Sequence, residues 1–140
     1  MNLRIKKIHQ NAKVPAYAHE GDAGLDLFSC VDMVIGPGET MPVPTGIQMA
    51  IPAGYVGLVW DKSGLSIQGV HRLAGVVDAG YRGEVRVVMV NLGRAPFIIK
   101  AGMKIAQMLI QPVEAPTIVE ARELDDTSRG EGGFGSTGLF

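Results

Sequence analysis

Residues 46–60 read GIQMAIPAGYVGLVW, and this stretch contains the pattern that decides the fold class. Two short apolar runs, Gly46–Ile51 and Tyr55–Trp60, are separated by Pro-Ala-Gly, a sequence that favours a turn. Short apolar runs bounded by turn-forming residues indicate β-strands, whereas a helix needs a longer stretch with a repeat of about 3.6 residues. This part of the chain therefore predicts two consecutive strands.

The same pattern recurs along the chain at intervals of about ten residues, which is typical of an all-β sandwich or barrel. Further strands are predicted at Leu3–Ile8, Gly24–Phe28, Met33–Ile35, Glu39–Val43, Leu73–Val77, Glu84–Asn91, Phe97–Lys100, Met103–Gln111 and Thr117–Ala121. Two stretches are ambiguous. Ser63–Gln68 allows one or two helical turns, and Met103–Ile110 tolerates a helix although its alternation favours a strand.

Composition excludes several classes of protein. The net charge is −1 without a long basic run, so binding to a nucleic-acid polymer is not expected. The single cysteine, Cys30, excludes an intramolecular disulfide, and the three histidines show no zinc-ligand spacing. No signal peptide and no membrane span is recognisable, so a cytoplasmic location is expected.

The end of the chain differs in composition from the rest. Residues 123–128 read as a solvated linker, and residues 129–140 are rich in glycine, with Arg129, Phe134, Ser136 and Thr137 among them. The division predicted is an all-β domain at 1–122 and a linker with a flexible arm at 123–140. Such a tail is either a disordered terminus or a mobile arm, whose glycine amides and polar side chains bind phosphate.

Three polar side chains stand in apolar surroundings: Asp26, Asp78 and Gln107. Asp78 precedes a turn, so it is either a turn cap or a carboxylate that orients or deprotonates a water. Gln107 lies within a predicted strand and needs hydrogen-bond partners if it is buried. A pocket that faces these residues would explain them as well as solvent would.

Asp61-Lys62-Ser63-Gly64 follows the strand that ends at Trp60. A lysine, a hydroxyl and main-chain amides at the start of a helix form a plausible phosphate site. The alternative is an ordinary helix cap at Ser63. From the residues alone the two stay open.

The order of these pieces resembles the trimeric dUTPase family over essentially the whole chain. The resemblance is carried by five short motifs: Ala23–Leu27, Lys62–Leu65, Gly75–Glu84, Lys104–Gln107 and Arg129–Gly138. It implies a jelly-roll-like β fold and an enzyme that hydrolyses dUTP to dUMP and pyrophosphate with Mg²⁺. It also implies a homotrimer with active sites at subunit interfaces, each closed by a C-terminal arm from another subunit.

The resemblance implies a role for each matching residue. Asp78 and Gln107 are the catalytic candidates, Asp78 holding the attacking water and Gln107 binding near the α-phosphate. Asp26 would reach the magnesium through waters, and Tyr81 would pack under the deoxyribose. The other implied substrate-binding residues are Lys62, Ser63 and Gly64 at the phosphates, Gly75, Val76 and Val77 at the base, Arg86, and Arg129, Phe134, Gly135, Ser136 and Thr137 on the arm.

Departures from the family pattern fall at three places. Lys62 stands where the family usually has arginine, and Lys104 does so in the fourth motif. Asp61 adds a negative charge beside the phosphate motif, unless it faces away. Arg72 stands where the family often has an asparagine that helps to read uracil, and it is kept as a substrate-binding candidate.

Rival functions are a dCTP deaminase, a nucleotide-responsive regulatory module, and a structural or lectin-like jelly roll. The deaminase resemblance calls for a catalytic glutamate at the position of Val88, where valine cannot transfer protons. The structural reading fits the strands equally well but leaves Asp78, Gln107 and the arm unexplained.

Overall fold

The computed structural model describes all 140 residues and confirms the all-β fold class. The elements in order are β1 (Arg4–Lys7), β2 (Leu25–Phe28), β3 (Met33–Ile35), β4 (Thr40–Pro44), β5 (Ile47–Ala50), β6 (Tyr55–Trp60), α1 (Ser63–Ser66), β7 (Val70–Leu73), β8 (Val76–Val77), β9 (Arg86–Asn91), β10 (Phe97–Ile99) and β11 (Lys104–Pro112). No helix is long and apolar enough to cross a membrane.

The strands form small antiparallel sheets in a jelly-roll-like arrangement. A four-stranded sheet has the order β2-β11-β6-β8, and a three-stranded sheet has the order β4-β9-β7. Two pairs, β1-β5 and β10-β3, complete the fold. Most neighbours in these sheets are far apart in sequence, so the topology depends on long-range pairing.

The core lies between the inward faces of these sheets. Its largest fully buried side chains include Leu27, Ile47, Met89, Ile105 and Met108, which come from four different strands. Alternation along a strand places such residues on one face and leaves the other face for solvent or a site. β9 departs from this pattern because Val87, Met89, Val90 and Asn91 are all buried.

The predicted strand Leu73–Val77 is wrong as a single element, because it is interrupted between β7 and β8. Ala74 has φ 58° and Gly75 has φ 127°, and a left-handed conformation cannot continue a strand. A β-carbon on Gly75 would lie 2.9 Å from the carbonyl oxygen of Val59, so the position also requires glycine for the close approach of two main chains. β7 itself, at Val70–Leu73, lies largely in a stretch that the sequence left without a strand.

Two further expectations are corrected. The predicted strand Thr117–Ala121 does not form: Ile118 and Val119 are exposed, and no strand follows Pro112. High β-propensity does not make a strand where the chain has no neighbouring edge to pair with. The helix at 63–66 is only four residues long, and its N-cap is Lys62 without a side-chain cap bond, so Ser63 is not the cap.

Gly46 lies at the bend between β4 and β5 with φ 69°. A β-carbon there would lie 2.6 Å from Cβ of His9 and 3.0 Å from Cβ of Ala12. Gly38 has a similar φ of 77° but open space around it. A substitution at Gly38 therefore adds backbone strain without crowding, and a substitution at Gly46 adds both.

We expect Gly38→Ala to lower the free energy of unfolding by about 1 kcal/mol, because it adds only left-handed strain. Gly46→Ala should lower the free energy of unfolding by about 1–3 kcal/mol more than Gly38→Ala does, because the added methyl also overpacks the bend. Urea unfolding at one protein concentration measures both variants. Equal losses would contradict the packing described at Gly46.

Candidate active site

The pairing of β11 with both β2 and β6 brings three predicted site residues together. Gln107 on β11 is opposite Asp26 on one side and opposite Trp60 on the other. Asp61 and Lys62 directly follow Trp60, so they lie at the same end of the sheet. The register therefore assembles the acid of the first motif, the lysine of the second and the glutamine of the fourth.

Asp26 is 3% exposed, and its carboxylate is shared between two lysines. Lys62 Nζ lies 2.5 Å from Oδ1, and Lys104 Nζ lies 2.6 Å from Oδ2. Burial by itself would raise the pKa of the Asp26 carboxyl, but the hydrogen bonds and charges of Lys104 and Lys62 outweigh burial and lower that pKa. The cluster carries one negative and two positive charges, so it favours an incoming anion.

Lys104 is a site residue to which the sequence assigned no role. Lys104 and Gln107 are three positions apart, and in a regular strand they would point to opposite faces. The pairing of β11 with β2 shifts register between Lys104 and Ala106, and such a bulge turns both side chains to one cleft. The bulge also lets Ile105 and Ala106, which are adjacent, both enter the core. No feature of the local sequence indicates this shift.

The Gln107 amide is held on two sides. Its Nε2 donates to the main-chain oxygen of Asp61 at 2.8 Å. A β-carbon on Gly24 would lie 2.4 Å from Gln107 Oε1, so the amide packs directly over that glycine. This half-buried amide therefore has the hydrogen-bond partner that the sequence argument required.

Two adjacent polar clefts share Lys62 and Gln107. One has a volume of about 490 Å³ and includes Gly24, Asp26 and Asp61 in its wall. The other, of about 430 Å³, is lined by Ser63, Gly64, Leu65, Gln68 and Lys104 besides the shared pair. No atom lies within 4 Å of the β-carbon position of Gly64, so this wall is open to a ligand. We refer to the two together as the lysine cleft.

A separate pocket of about 250 Å³ contains Asp78 and Tyr81. Its other walls are formed by Val59, Leu73–Val77, and Glu84–Val88, so it includes the predicted residues Gly75, Val76, Val77 and Arg86. Most of these walls are apolar, while Asp78 is exposed at a wall. We refer to it as the Asp78 pocket.

Glu84 organises one side of the Asp78 pocket. Its carboxylate accepts hydrogen bonds from Gly46 N at 3.0 Å and from Arg86 Nε at 2.7 Å. The main-chain oxygen of Glu84 accepts from the hydroxyl of Tyr81 at 2.9 Å. Glu84 thus fixes both Tyr81 and Arg86, a role for which the sequence offered no signal.

Strand β6 separates the Asp78 pocket from the lysine cleft. Val59 lines the former, whereas Trp60 lines the latter, and successive residues of a strand point to opposite faces. The two linings share no residue. Within one chain, the predicted catalytic pair Asp78 and Gln107 is therefore divided between two surfaces.

Arg72 lines neither surface. Its guanidinium lies over the Trp60 ring, 5.1 Å from the ring centre, and donates to the main-chain oxygen of Ala74 at 2.7 Å. Its Nε is buried without a hydrogen-bond partner. In this chain Arg72 stabilises the turn that contains Ala74 and Gly75 through its hydrogen bond to Ala74.

The arm residues lie apart from both surfaces. Arg129 Nε donates to Gly132 O, and the main-chain hydrogen bonds of residues 129–138 connect positions within 127–138. Phe134 is fully exposed with φ 49°, and Gly135, Ser136 and Thr137 are exposed as well. Neither the Asp78 pocket nor the lysine cleft includes any of them.

The carboxylates do not form a protein-built metal cage. No three histidine, cysteine, aspartate or glutamate side chains come together in the arrangement that holds an ion. Mg²⁺ bound mainly by waters and substrate phosphates needs only one or two carboxylates, and Asp26 in the wall of the lysine cleft is the predicted one, with both of its oxygens paired to lysines in this structure.

Comparisons with known proteins match essentially the whole chain. A family model described as dUTPase matches residues 10–138. The deoxyuridine 5′-triphosphate nucleotidohydrolase of Clostridium kluyveri is 52% identical over 143 residues, with 100% of both chains covered. The Staphylococcus bacteriophage 80alpha dUTPase, solved with dUPNHPP, superposes with a TM-score of 0.93 at 30% identity over 99% of both chains. A mutant dUTPase from phage phi11 of S. aureus, whose structure describes a structural Mg(II) ion, gives a TM-score of 0.83 at 27% identity over 88% of this chain and 98% of that one.

The charge cluster at Asp26 predicts a pH dependence of stability. Its folded pKa is lowered below the ordinary aspartate value of about 3.9. The stability from this carboxylate is therefore complete above that value and is lost as the pH falls through the folded pKa.

We expect Asp26→Asn to lower the free energy of unfolding by about 2 kcal/mol at pH 7, since Lys62 and Lys104 are partly solvent-screened. The difference from wild type should shrink towards pH 2. Urea unfolding across this range tests it, with Asp125→Asn at an exposed position as the control. A difference that is constant with pH would contradict the charge assignment.

Proposed function

The chain belongs to the dUTPase family, and from that premise we propose that it hydrolyses dUTP to dUMP and pyrophosphate by magnesium-assisted attack of water on the α-phosphate. The observation that carries the proposal is the combination of the lysine cleft with the Asp78 pocket. One offers cations and amides for a polyphosphate, and the other offers apolar walls and the exposed carboxylate of Asp78 for a nucleoside.

The lysine cleft suits the triphosphate. The half of the cleft lined by Ser63, Gly64 and Lys104 contains both lysines and no carboxylate, and the main-chain amides of Ser63 and Gly64 have no acceptor within the chain. The first amides of a helix and positively charged side chains are the groups that bind phosphate oxygens. Lysine supplies a point charge without the bidentate geometry of arginine, so two lysines in one cleft compensate for the departure at position 62.

The Asp78 pocket suits the nucleoside. Its exposed carboxylate lies among valines, where it can accept a hydrogen bond from a sugar hydroxyl and from a water. Tyr81 is fixed by its bond to Glu84 O and forms a rigid wall against the sugar. Gly75–Val77 form part of the pocket wall, and in this proposal their main-chain groups read the base.

Catalysis in this proposal depends on positioning and on charge. Asp78 orients and accepts a proton from the attacking water, and Gln107 donates to the α-phosphate side, while the lysines stabilise charge on the phosphate oxygens. When bound, Mg²⁺ supplies further neutralisation of the triphosphate. Asp26 would hold it through waters once phosphate oxygens compete for Lys62 and Lys104.

We propose that the site is completed between subunits of a homotrimer. Two observations support this: β6 separates Asp78 from Gln107 within one chain, and the arm at 129–138 contacts neither surface of its own chain. In the assembly the arm of another subunit would close the site. Arg129, Ser136 and Thr137 would bind the γ-phosphate, and Phe134 with Gly135 would cover the uracil. The buried thiol of Cys30 suits a reducing compartment, so we place the reaction in the cytoplasm.

Deamination of dCTP is not favoured by the pocket. Val88 lines the same pocket as Asp78, at the position where the deaminase reading requires a glutamate. Valine carries no group that transfers a proton, so the pocket lacks the residue that such a reaction needs.

Product release from four nucleotides tests the proposed function. With Mg²⁺ present, we expect pyrophosphate from dUTP and at least about tenfold slower release from dCTP, dTTP and UTP. Ammonia is assayed in the dCTP reaction. Ammonia formation, or the absence of pyrophosphate from dUTP, would sink the proposal, whereas equal release from all four would contradict the selectivity assigned to the Asp78 pocket.

A further inference from the structure

Asp61 makes side-chain contacts that its place in the phosphate motif does not explain. Its Oδ1 accepts a hydrogen bond from Arg72 N at 2.7 Å, and its Oδ2 contacts Nδ1 of His71. The carboxylate is therefore turned towards β7 and its charge is engaged there. The negative charge beside Lys62 that the sequence raised as an objection is held by these contacts with His71 and Arg72.

These contacts join two sheets. β7 is the edge strand of the β4-β9-β7 sheet, and it pairs only with β9. An edge strand exposes donors on its unpaired side, and Arg72 N is such a donor. Asp61 directly follows β6 of the other large sheet. Its side chain therefore accepts the hydrogen bond of an otherwise unpaired amide on β7 and links β7 to the end of β6.

The main chain of Asp61 connects the same residue to the proposed chemistry. Its carbonyl oxygen accepts the hydrogen bond from Gln107 Nε2 at 2.8 Å. That bond orients the amide, leaving Oε1 over Gly24. A rotation of the peptide at Asp61 would therefore move the one hydrogen-bond acceptor that holds Gln107.

We propose that Asp61 is a positioning residue for Gln107, an inference that rests on the proposed function. The carboxylate, anchored to Arg72 N and His71, fixes the orientation of its own main-chain carbonyl. The carbonyl in turn fixes the amide of Gln107 at the lysine cleft. Asp61 contacts no substrate in this arrangement and acts only through Gln107.

The test compares Asp61→Ala, Asp61→Asn and Asp61→Glu in the full chain, with Asp32→Ala as the matched control. Asp32 also accepts one main-chain hydrogen bond, from Ala101 N at 2.8 Å, but far from the site. Steady-state pyrophosphate release from dUTP gives kcat and KM. Hydrogen exchange of the Arg72 amide, measured without substrate, reports directly on the anchor.

We expect Asp61→Ala to lower kcat roughly 10- to 100-fold, because misplacing a group that orients reactants costs that much. The KM for dUTP should change less than about threefold, since phosphate binding is left to the lysines. Asp61→Asn should restore kcat, because the side-chain amide has the same shape and its oxygen can still accept from Arg72 N. Arg72 exchange should accelerate in the alanine variant and remain slow in the asparagine variant and in Asp32→Ala.

A lower unfolding midpoint with kcat and KM unchanged would overturn the inference, because Asp61 would then be structural only. An asparagine variant as slow as alanine would overturn it as well. If Asp61→Ala does not fold, Asp61→Glu replaces it, since the added methylene displaces the carboxylate while keeping the charge; unchanged kcat there contradicts the inference. A wild-type chain that releases no pyrophosphate overturns the proposed function first, an outcome distinct from any result with the variants.

Discussion

The antiparallel pairing of β11 between β2 and β6 is the constraint on which the site depends. It sets Gln107 opposite both Asp26 and Trp60, and it carries Met108 and Ala106 into the core on the other face. A shift of one residue would exchange these two faces, burying the glutamine and exposing the methionine. The free energy that fixes this register is thus apolar burial, and the polar cleft follows from it. The bulge before Ala106 adds Lys104 to the same cleft without disturbing the core.

The same sheet explains why one chain holds its two candidate surfaces apart. β6 contributes Val59 to the Asp78 pocket and Trp60 to the lysine cleft, so this strand lies between the two surfaces. A reaction that needs Asp78 and Gln107 at one phosphorus atom must then draw them from different chains. The exposed arm, whose hydrogen bonds stay within residues 127–138, fits the same principle. Function in this fold is accordingly a property of the assembly that we propose.

The sequence predicted most of the fold because most strands are short apolar runs with a breaker at each end. β2, β3, β6 and β11 lie within a residue of their predicted bounds, and Asp26, Lys62 and Gln107 do come together. What the sequence did not predict depends on partners distant in the chain. The break at Ala74 and Gly75 follows from the approach to Val59, and the role of Lys104 follows from a bulge. The contacts of the Asp61 carboxylate and the hydrogen bond from Arg72 to Ala74 depend on β7, a strand that pairs with β9 at residues 86–91.

The measurement that tests the central claim most directly is subunit complementation between Asp78→Asn and Gln107→Ala. The two chains, each nearly inactive alone, are mixed in equal amounts in urea, refolded together and assayed for pyrophosphate release from dUTP. If each site takes Asp78 and Gln107 from different subunits, random mixing restores about a quarter of wild-type activity, because one site in four combines two intact residues. If both residues act from one chain, every site retains a defect, and activity no higher than that of the two parent variants would contradict the account.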